Sequence, residues 1–506
     1  MKILLIDIVR TSLEEIWPAV EHSLGLMYLA ANLKREYHEK VKIQIKTLIS
    51  KPNREEDEQK RVQKILNDFE PELVGIRCLS IGKDSLINVT RTISQWDKDC
   101  MIVVGGPCAT DEPEFVLHNA IADCVVIGEG EQTFNELVGC LFNDSSFQNI
   151  DGIAYREGDR ILRTKPRKYI FDLDSLPFPD YTLIDLEAFS NQFLTFSSKI
   201  SQRHANILTT RGCPYRCAYC HNIAGKYFRV RSPQSVYSEI SFLHDRYGIT
   251  DFQIIDDIFN LDLNRAKAIC DLIINSDMNL TLSFPNGVRG DKMDEDLIDK
   301  LAAAGTKFIS YAIETASPRL QRLIRKNLNL EKIYKAIDHT TKNGIATRGF
   351  FMIGFPTETE SEVIQTIEYA KSTSLTGATF FTVVYFPGTP LYELAKSMGY
   401  FKNESYNVQR DYVQVADGPY DFSLETLIKI KQQGIIEFAF TKSRIENALK
   451  ILPDYFTPRE IDTFFMAYVV SSQLRLEDLK QESVKRHLKR YFLVKERFSR
   501  KNGFYV

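Results

Sequence analysis

The stretch "ANILTTRGCPYRCAYCHN", residues 205–222, runs from a short strand-like segment into three cysteines, Cys213, Cys217 and Cys220, with His221 directly behind them. If the segment is a strand of a parallel sheet, the cysteines stand at its carboxyl end, where such sheets keep their chemistry. The downstream residues support the strand. Further strand-like runs recur at "DFQIID", "LTLSFP", "FISYAIE", "TRGFFMIGF" and "ATFFTVVYF", separated by helical patterns such as "SVYSEISFLHDRYG" and "EDLIDKLAAAG". Six strand–helix units predict a partial (β/α)6 TIM-like barrel over residues 201–400, short of the usual eight.

Upstream, "KILLIDI", "KIQIKTLI", "LVGIRCLS", "MIVVGG" and "CVVIGEG" are strands spaced widely enough to admit a helix between neighbours. That rhythm predicts a doubly wound parallel-sheet (Rossmann-like) α/β domain over residues 1–145. Its strands end in small or turn residues: Ser80, Gly105–Gly106–Pro107 and Gly128–Glu129–Gly130. Ligands of such sheets lie beyond the strand ends, where glycine lets a backbone approach closely. Residues 146–200 read as a connector, with a small hairpin at "YREGDRILRT" and the proline-punctuated "DLDSLPFPDYTLID". Residues 401–506 read as a helical C-terminal region closing over the barrel mouth. Its basic tail, "KRHLKRYFLVKERFSRK" at 485–501, reads as a solvated amphipathic face.

The bulk numbers exclude several classes. A chain of 506 residues with 64 basic and 67 acidic side chains, net −3, gives no electrostatic case for nucleic acid as the main partner. Nine cysteines are too sparse for a secreted disulfide framework, which favours a reducing cytoplasm. "MKILLIDIV" carries Asp7 inside its apolar run and reads as a first strand, not a signal peptide. No apolar run reaches the roughly 18–20 residues of a membrane span.

Four readings of the cysteines compete. A structural zinc site usually takes four ligands, often two C-x-x-C pairs, and no second pair is present. A thioredoxin-like dithiol uses only Cys217 and Cys220 and leaves Cys213 over. "CAYCH" fits haem attachment, which requires export to an oxidising compartment. An iron–sulfur cube takes four thiolates, so three would leave one iron open to another ligand.

The C-x3-C-x2-C spacing after a strand at a barrel mouth, with Tyr219 before the last cysteine, resembles the signature of the radical S-adenosylmethionine (radical SAM) superfamily. The resemblance implies a 4Fe–4S cluster on Cys213, Cys217 and Cys220, with SAM chelating the open iron and yielding a 5′-deoxyadenosyl radical. "YAIETAS" resembles the fourth-strand segment whose acid, here Glu314, reaches the SAM ribose. "RGFFMIGFPTET" resembles the fifth-strand segment beside the adenine, with Ile353 and Gly354 at its centre. Arg348 is a candidate partner of the SAM carboxylate. Where many relatives carry Gly-Gly-Glu to hold the SAM amine, this chain has Asp256–Asp257, and Asp257 is the candidate.

The N-terminal half, through "GGPCATDEPE", "ADCVVIGEGEQTF" and "DLDSLPFPDY", resembles the cobalamin-binding domain of the branch containing the anaerobic magnesium-protoporphyrin cyclase and the hopanoid methylases. With the barrel included, the resemblance covers roughly residues 1–400. It implies cobalamin contacts at Ser80, Gly105, Gly106, Thr110, Gly128 and Glu129. The D-x-H-x-x-G motif of many cobalamin domains is missing, and Cys108 stands where relatives often have histidine. The implied activity is C-methylation of an unactivated carbon in a small molecule, with a low-potential donor such as flavodoxin or ferredoxin supplying electrons. The alternatives are a ring cyclase or oxidase of the same branch, a methylthiotransferase, and a non-catalytic cobalamin-binding or electron-transfer protein. A methylthiotransferase would need a second cluster on cysteines of the N-terminal domain, such as Cys78, Cys108 and Cys124.

Overall fold

The computed structural model describes residues 1–10, 23–50, 55–186, 204–220, 224–401, 418–452 and a few positions beyond: 461, 462, 465, 489 and 491–495. His221 and most of the basic tail lie outside the described residues.

The N-terminal sheet is built from β1 (Lys2–Arg10), β2 (Lys42–Ser50), β3 (Leu73–Cys78), β4 (Met101–Gly105) and β5 (Cys124–Val126), continued by a hairpin of β6 (Ile153–Glu157) and β7 (Arg160–Arg163). Its order is β2-β1-β3-β4-β5-β6-β7, parallel as far as β5 and antiparallel across the hairpin. In β1, Ile3, Leu4, Leu5, Ile6 and Ile8 are all at most 1% exposed. Such an apolar run, interrupted only by the buried Asp7, is what a strand covered by helices on both faces requires. Helices Leu24–Tyr37 and Glu131–Phe142 pack together on one face, and Glu55–Phe69 and Lys83–Trp96 on the other. Within the span 146–200 read as a connector, the expected hairpin joins the sheet, since β6 pairs with β5 and carries the sheet on to Arg163.

The barrel strands are β8 (His204–Ile207), β11 (Asp251–Ile254), β12 (Thr281–Val288), β13 (Thr306–Glu314), β14 (Ala346–Ile353) and β15 (Gly377–Thr382). They form one parallel six-stranded sheet in sequence order, open between β8 and β15. Between β8 and β11, a two-stranded ribbon of β9 (Thr210–Arg211) and β10 (Arg229–Val230) closes the base of the cysteine loop. The first barrel helix, Pro233–Tyr247, shows how locally the sequence punctuates the fold. Ser232 caps it by accepting from the Ser235 amide, Pro233 fits its first turn, and Gly248 leaves it at φ +64°.

The stretch from Leu173 to Leu183 is a packed strap between the two sheets. Asp180 pairs with Lys34 at 2.6 Å, the Tyr181 hydroxyl donates to the Asn206 carbonyl, and Asp174 accepts from the Ser232 amide. Helix Leu424–Ala439 packs on helix Glu360–Ser372 and on β15, with Gly434 against Ile367 and Phe438 against Phe380. Among the described residues the C-terminal region packs along the barrel side and brings Tyr420 and Leu427 beside Gly354 at the carboxyl end of β14, while much of the stretch expected to cover the mouth lies outside the described residues. No helix among the described residues is long and apolar enough to cross a membrane.

Candidate active site

The cysteine loop leaves β9 through Gly212, whose φ of +82° suits glycine. A Cβ there would stand 2.3 Å from the Tyr227 carbonyl oxygen, so the loop's two stalks touch with no room for a side chain. The Cys213 amide donates to the Gly225 carbonyl at 3.2 Å, and the Ala218 amide to the Ile324 carbonyl at 2.8 Å. Cys213 and Cys217 are half-buried, and Cys220 is exposed. The thiols feel one another. Crowding around its sulfur, then Cys217 and Cys213, pushes Cys220 up to about 11, and burial raises Cys213. No three His, Cys, Asp or Glu side chains among the described residues are gathered into a metal-holding set. The donor chemistry still fits an iron–sulfur cluster, with three soft sulfurs on one loop and no competing hard ligand in its sequence.

Two of the expected SAM residues meet directly. The Tyr219 hydroxyl donates to Glu314 Oε1 at 2.8 Å, and Lys326 Nζ reaches the same oxygen at 2.7 Å and the phenol at 2.9 Å. Burial and the Glu314 charge keep Tyr219 protonated by pushing its pKa well up. Glu314 sits beyond a register break in the β13–β14 pairing, at φ +70°. Such a bulge re-aims a side chain, and left-handed backbone at a non-glycine residue clusters at functional sites. Lys326 escaped sequence reading because its partner is built only by folding.

The Asp256–Asp257 pair divides its labour. Asp256 is fully engaged with Thr209 and Thr210, accepting from both their amides. Asp257 accepts one 3.2 Å bond from the Gly212 amide, and burial raises its pKa. Arg348, on β14, donates to the Ser310 hydroxyl and the Pro285 carbonyl and lies 4.5 Å over the Phe350 ring. Ile353 ends β14, and Gly354 turns away at φ +91°. The amides of Gly354 and Phe355 donate to Glu358, whose carboxyl burial pushes up to about 8.

Between the two sheets lies a cavity of about 570 Å³. Its N-terminal wall is the carboxyl edge of β1, β3, β4 and β5, including Gly105, Gly106, Gly128 and Glu129; Thr210, Arg211 and Asp257 form part of the barrel side. The sheet order reverses at β1 and β3, and Asp7 and Arg77 pair there at 2.6 Å. That is where doubly wound sheets bind ligands. The cobalamin fit rests on the glycines. A Cβ at Gly128 would meet nothing within 4 Å, and one at Gly105 only Val126 at 3.8 Å, so both leave a flat wall. Ser80 and Thr110 are outside the lining; the Thr110 hydroxyl instead accepts from the Gly128 amide at 3.0 Å. Glu129 touches the cavity, but its carboxylate is held by Arg211 and Arg229.

Cys78 and Cys108 pack on one face of the N-terminal sheet and Cys124 on the other, so those three thiols do not converge on a second cluster. The Radical SAM superfamily model matches residues 207–370, and the B12 binding domain model residues 17–138. An uncharacterized methyltransferase of Pyrococcus horikoshii is 31% identical over 399 residues, 78% of this chain and 83% of its own. The cytidylyl-2-hydroxyethylphosphonate methyltransferase of Streptomyces wedmorensis is 27% identical over 459 residues, 82% of this chain and 85% of its own. The cobalamin-dependent S-adenosylmethionine radical enzyme OxsB, solved with aqua-cobalamin, shares the fold at a TM-score of 0.68 and 16% identity, covering 99% of this chain and 80% of that one. The chain thus belongs to the radical SAM superfamily, in the branch with an N-terminal B12-binding domain, and its cofactors are a 4Fe–4S cluster, SAM and cobalamin.

Proposed function

We propose that the protein is a cobalamin-dependent radical SAM methyltransferase acting on an unactivated carbon of a small molecule. The observation that carries this reading is the shared cavity, whose walls are the glycine-lined edge of the B12-binding domain on one side and the base of the cysteine loop with Asp257 on the other. Its relatives in Pyrococcus horikoshii and Streptomyces wedmorensis, both named as methyltransferases, support the reaction class. When bound, the cluster and SAM supply a hydrogen-abstracting 5′-deoxyadenosyl radical, and cobalamin carries the methyl group.

The protein's own part is to hold and orient. Cys213, Cys217 and Cys220 ligate the cluster. Glu314, paired with Lys326 and aimed by Tyr219, accepts from the SAM ribose hydroxyls. Asp257 takes the SAM amine, and the incoming ammonium offsets its burial. Ile353 and Gly354 flank the adenine, and Arg348 exchanges Ser310 for the SAM carboxylate. Gly105, Gly106 and Gly128 lie against the corrin. A low-potential flavodoxin or ferredoxin of the cytoplasm delivers the electron.

Anaerobic reconstitution tests the reading. The wild type is expected to hold about four iron and four sulfide, to bind hydroxocobalamin, and to release 5′-deoxyadenosine from SAM after reduction. The Cys213→Ala/Cys217→Ala/Cys220→Ala variant is expected to lose the iron and the SAM cleavage. Full iron content in that variant, or no SAM cleavage by the reduced wild type, would overturn it.

A further inference from the structure

The loop expected to bear the cluster and the turn that walls the cavity are joined by buried charge. β9 and β10 pair so that Arg211 stands opposite Arg229, two guanidinium groups side by side at the root of the cysteine loop. Like charges directly opposite on a ribbon repel, and buried guanidinium without a counter-charge is costly. Neither partner comes from the barrel. Arg211 donates to Glu129 at 2.9 Å and to Glu131 at 2.6 Å, and Arg229 donates to both oxygens of Glu129 at 2.7 and 2.6 Å. All four side chains are at most 9% exposed, and Arg229 only 1%. Rings cover the guanidinium groups, with Tyr28 5.2 Å from Arg211 and Tyr169 4.8 Å from Arg229. The chain leading into the strap is tied in as well, since Glu129 accepts from the Ile170 amide and Arg229 donates to the Ile170 carbonyl.

Two features separate this from an ordinary domain contact. One turn serves both sites, because Gly128 opens onto the cavity while its neighbour Glu129 grips the ribbon. The path from that grip to Cys213 also has no slack, for Arg211 is followed by Gly212, pressed on the Tyr227 carbonyl and held by Asp257.

We propose that Glu129 and Glu131 are positioning residues, a latch that fixes the cysteine loop to the turn walling the cobalamin cavity and so sets the separation of cobalt and cluster. The inference rests on the proposed cofactor sites. An oriented reaction can lose on the order of 100-fold in rate to a displacement of about 1 Å, which is the tolerance such a latch must meet.

The test is a distance. Holoenzyme carrying both cofactors, with cobalamin as cob(II)alamin and the cluster reduced, gives a cobalt–cluster distance distribution by pulsed electron paramagnetic resonance. Iron and cobalamin are counted in the same samples. In Glu129→Gln both cofactors are expected to stay, while the distribution broadens and its mean moves by about 1 Å or more. Glu129→Asp, which keeps the charge, is expected to recover much of the wild-type distribution. Should Glu129→Gln fail to fold, Glu131→Gln, which removes a single bond to Arg211, is read instead. A wild-type distribution in a glutamine variant with both cofactors bound overturns the latch. So does loss of both cofactors from both glutamine variants, the mark of a merely structural role. Absence of a cofactor from the wild type overturns the proposed function and the latch together.

Discussion

At the scale of single residues, Glu314 shows what a sequence can and cannot tell. Its place at the end of a barrel strand was legible, since "FISYAIE" is an apolar run closed by an acid. Its setting was not, because Tyr219 and Lys326 lie 95 and 12 positions away and meet it only through the fold. The same holds for Glu129, which looked like a cofactor contact and grips arginines 82 and 100 residues on. The three cysteines were legible because their spacing is itself the chemistry. The setting of Glu314 changes how its role must be tested. Removing its carboxylate strands the nearly buried Lys326 ammonium, at a cost on the order of 3 kcal/mol, whether or not SAM is touched. Glu314→Gln is therefore expected to lower both thermal stability and SAM affinity. Adding Lys326→Met removes the stranded charge and should restore the stability. SAM affinity, measured by equilibrium binding to the reconstituted protein, should stay low in the double variant. If affinity returns with stability, Glu314 is only a structural member of the network.

At the scale of elements, the strands were legible because buried parallel strands are written as continuous apolar runs, and every proposed run in both sheets is a strand. The hairpin at β6 and β7 was recognised as a hairpin, but its attachment to β5 was not, for nothing local says which edge a hairpin will join. Turn geometry was the other gap. Gly105, Gly106 and Gly128 looked equivalent as letters, yet Gly106 has φ +86° and a Cβ there would stand 2.9 Å from Arg77 Cγ. A side chain at Gly106 therefore strains the turn that enters helix Pro107–Asp111 before it meets any cofactor. Gly105 carries no such burden, with ordinary strand backbone and only Val126 at 3.8 Å. Gly105→Val is expected to fold with wild-type stability, keep about four iron and lose cobalamin binding. Gly106→Val is expected to lose thermal stability as well. Retention of cobalamin by a folded Gly105→Val would place the corrin elsewhere than against β4.

At the scale of the whole molecule, the two halves behave as one body more than their sequence boundary suggests. One apolar cluster runs from Ile3, Leu5 and Met27 of the N-terminal half through Tyr181 to Ala205, Ile207 and Val236 of the barrel. The Glu129–Arg229 and Lys34–Asp180 pairs cross the same junction. Large chains commonly unfold domain by domain, and the extent of shared core decides whether this one does. A cofactor seated between the halves should then stabilise both, because a ligand that binds only the native state adds RT ln(1 + [L]/Kd), about 2.7 kcal/mol at 100 times Kd. Calorimetry of the cluster-loaded chain, with and without hydroxocobalamin at that excess, separates the cases. One transition that moves upward as a whole is expected, since the cavity walls include both Gly128 and Arg211. Two transitions, with only one displaced by hydroxocobalamin, would mean that the cofactor is held by the N-terminal sheet alone and that the barrel wall of the cavity contributes nothing to its binding.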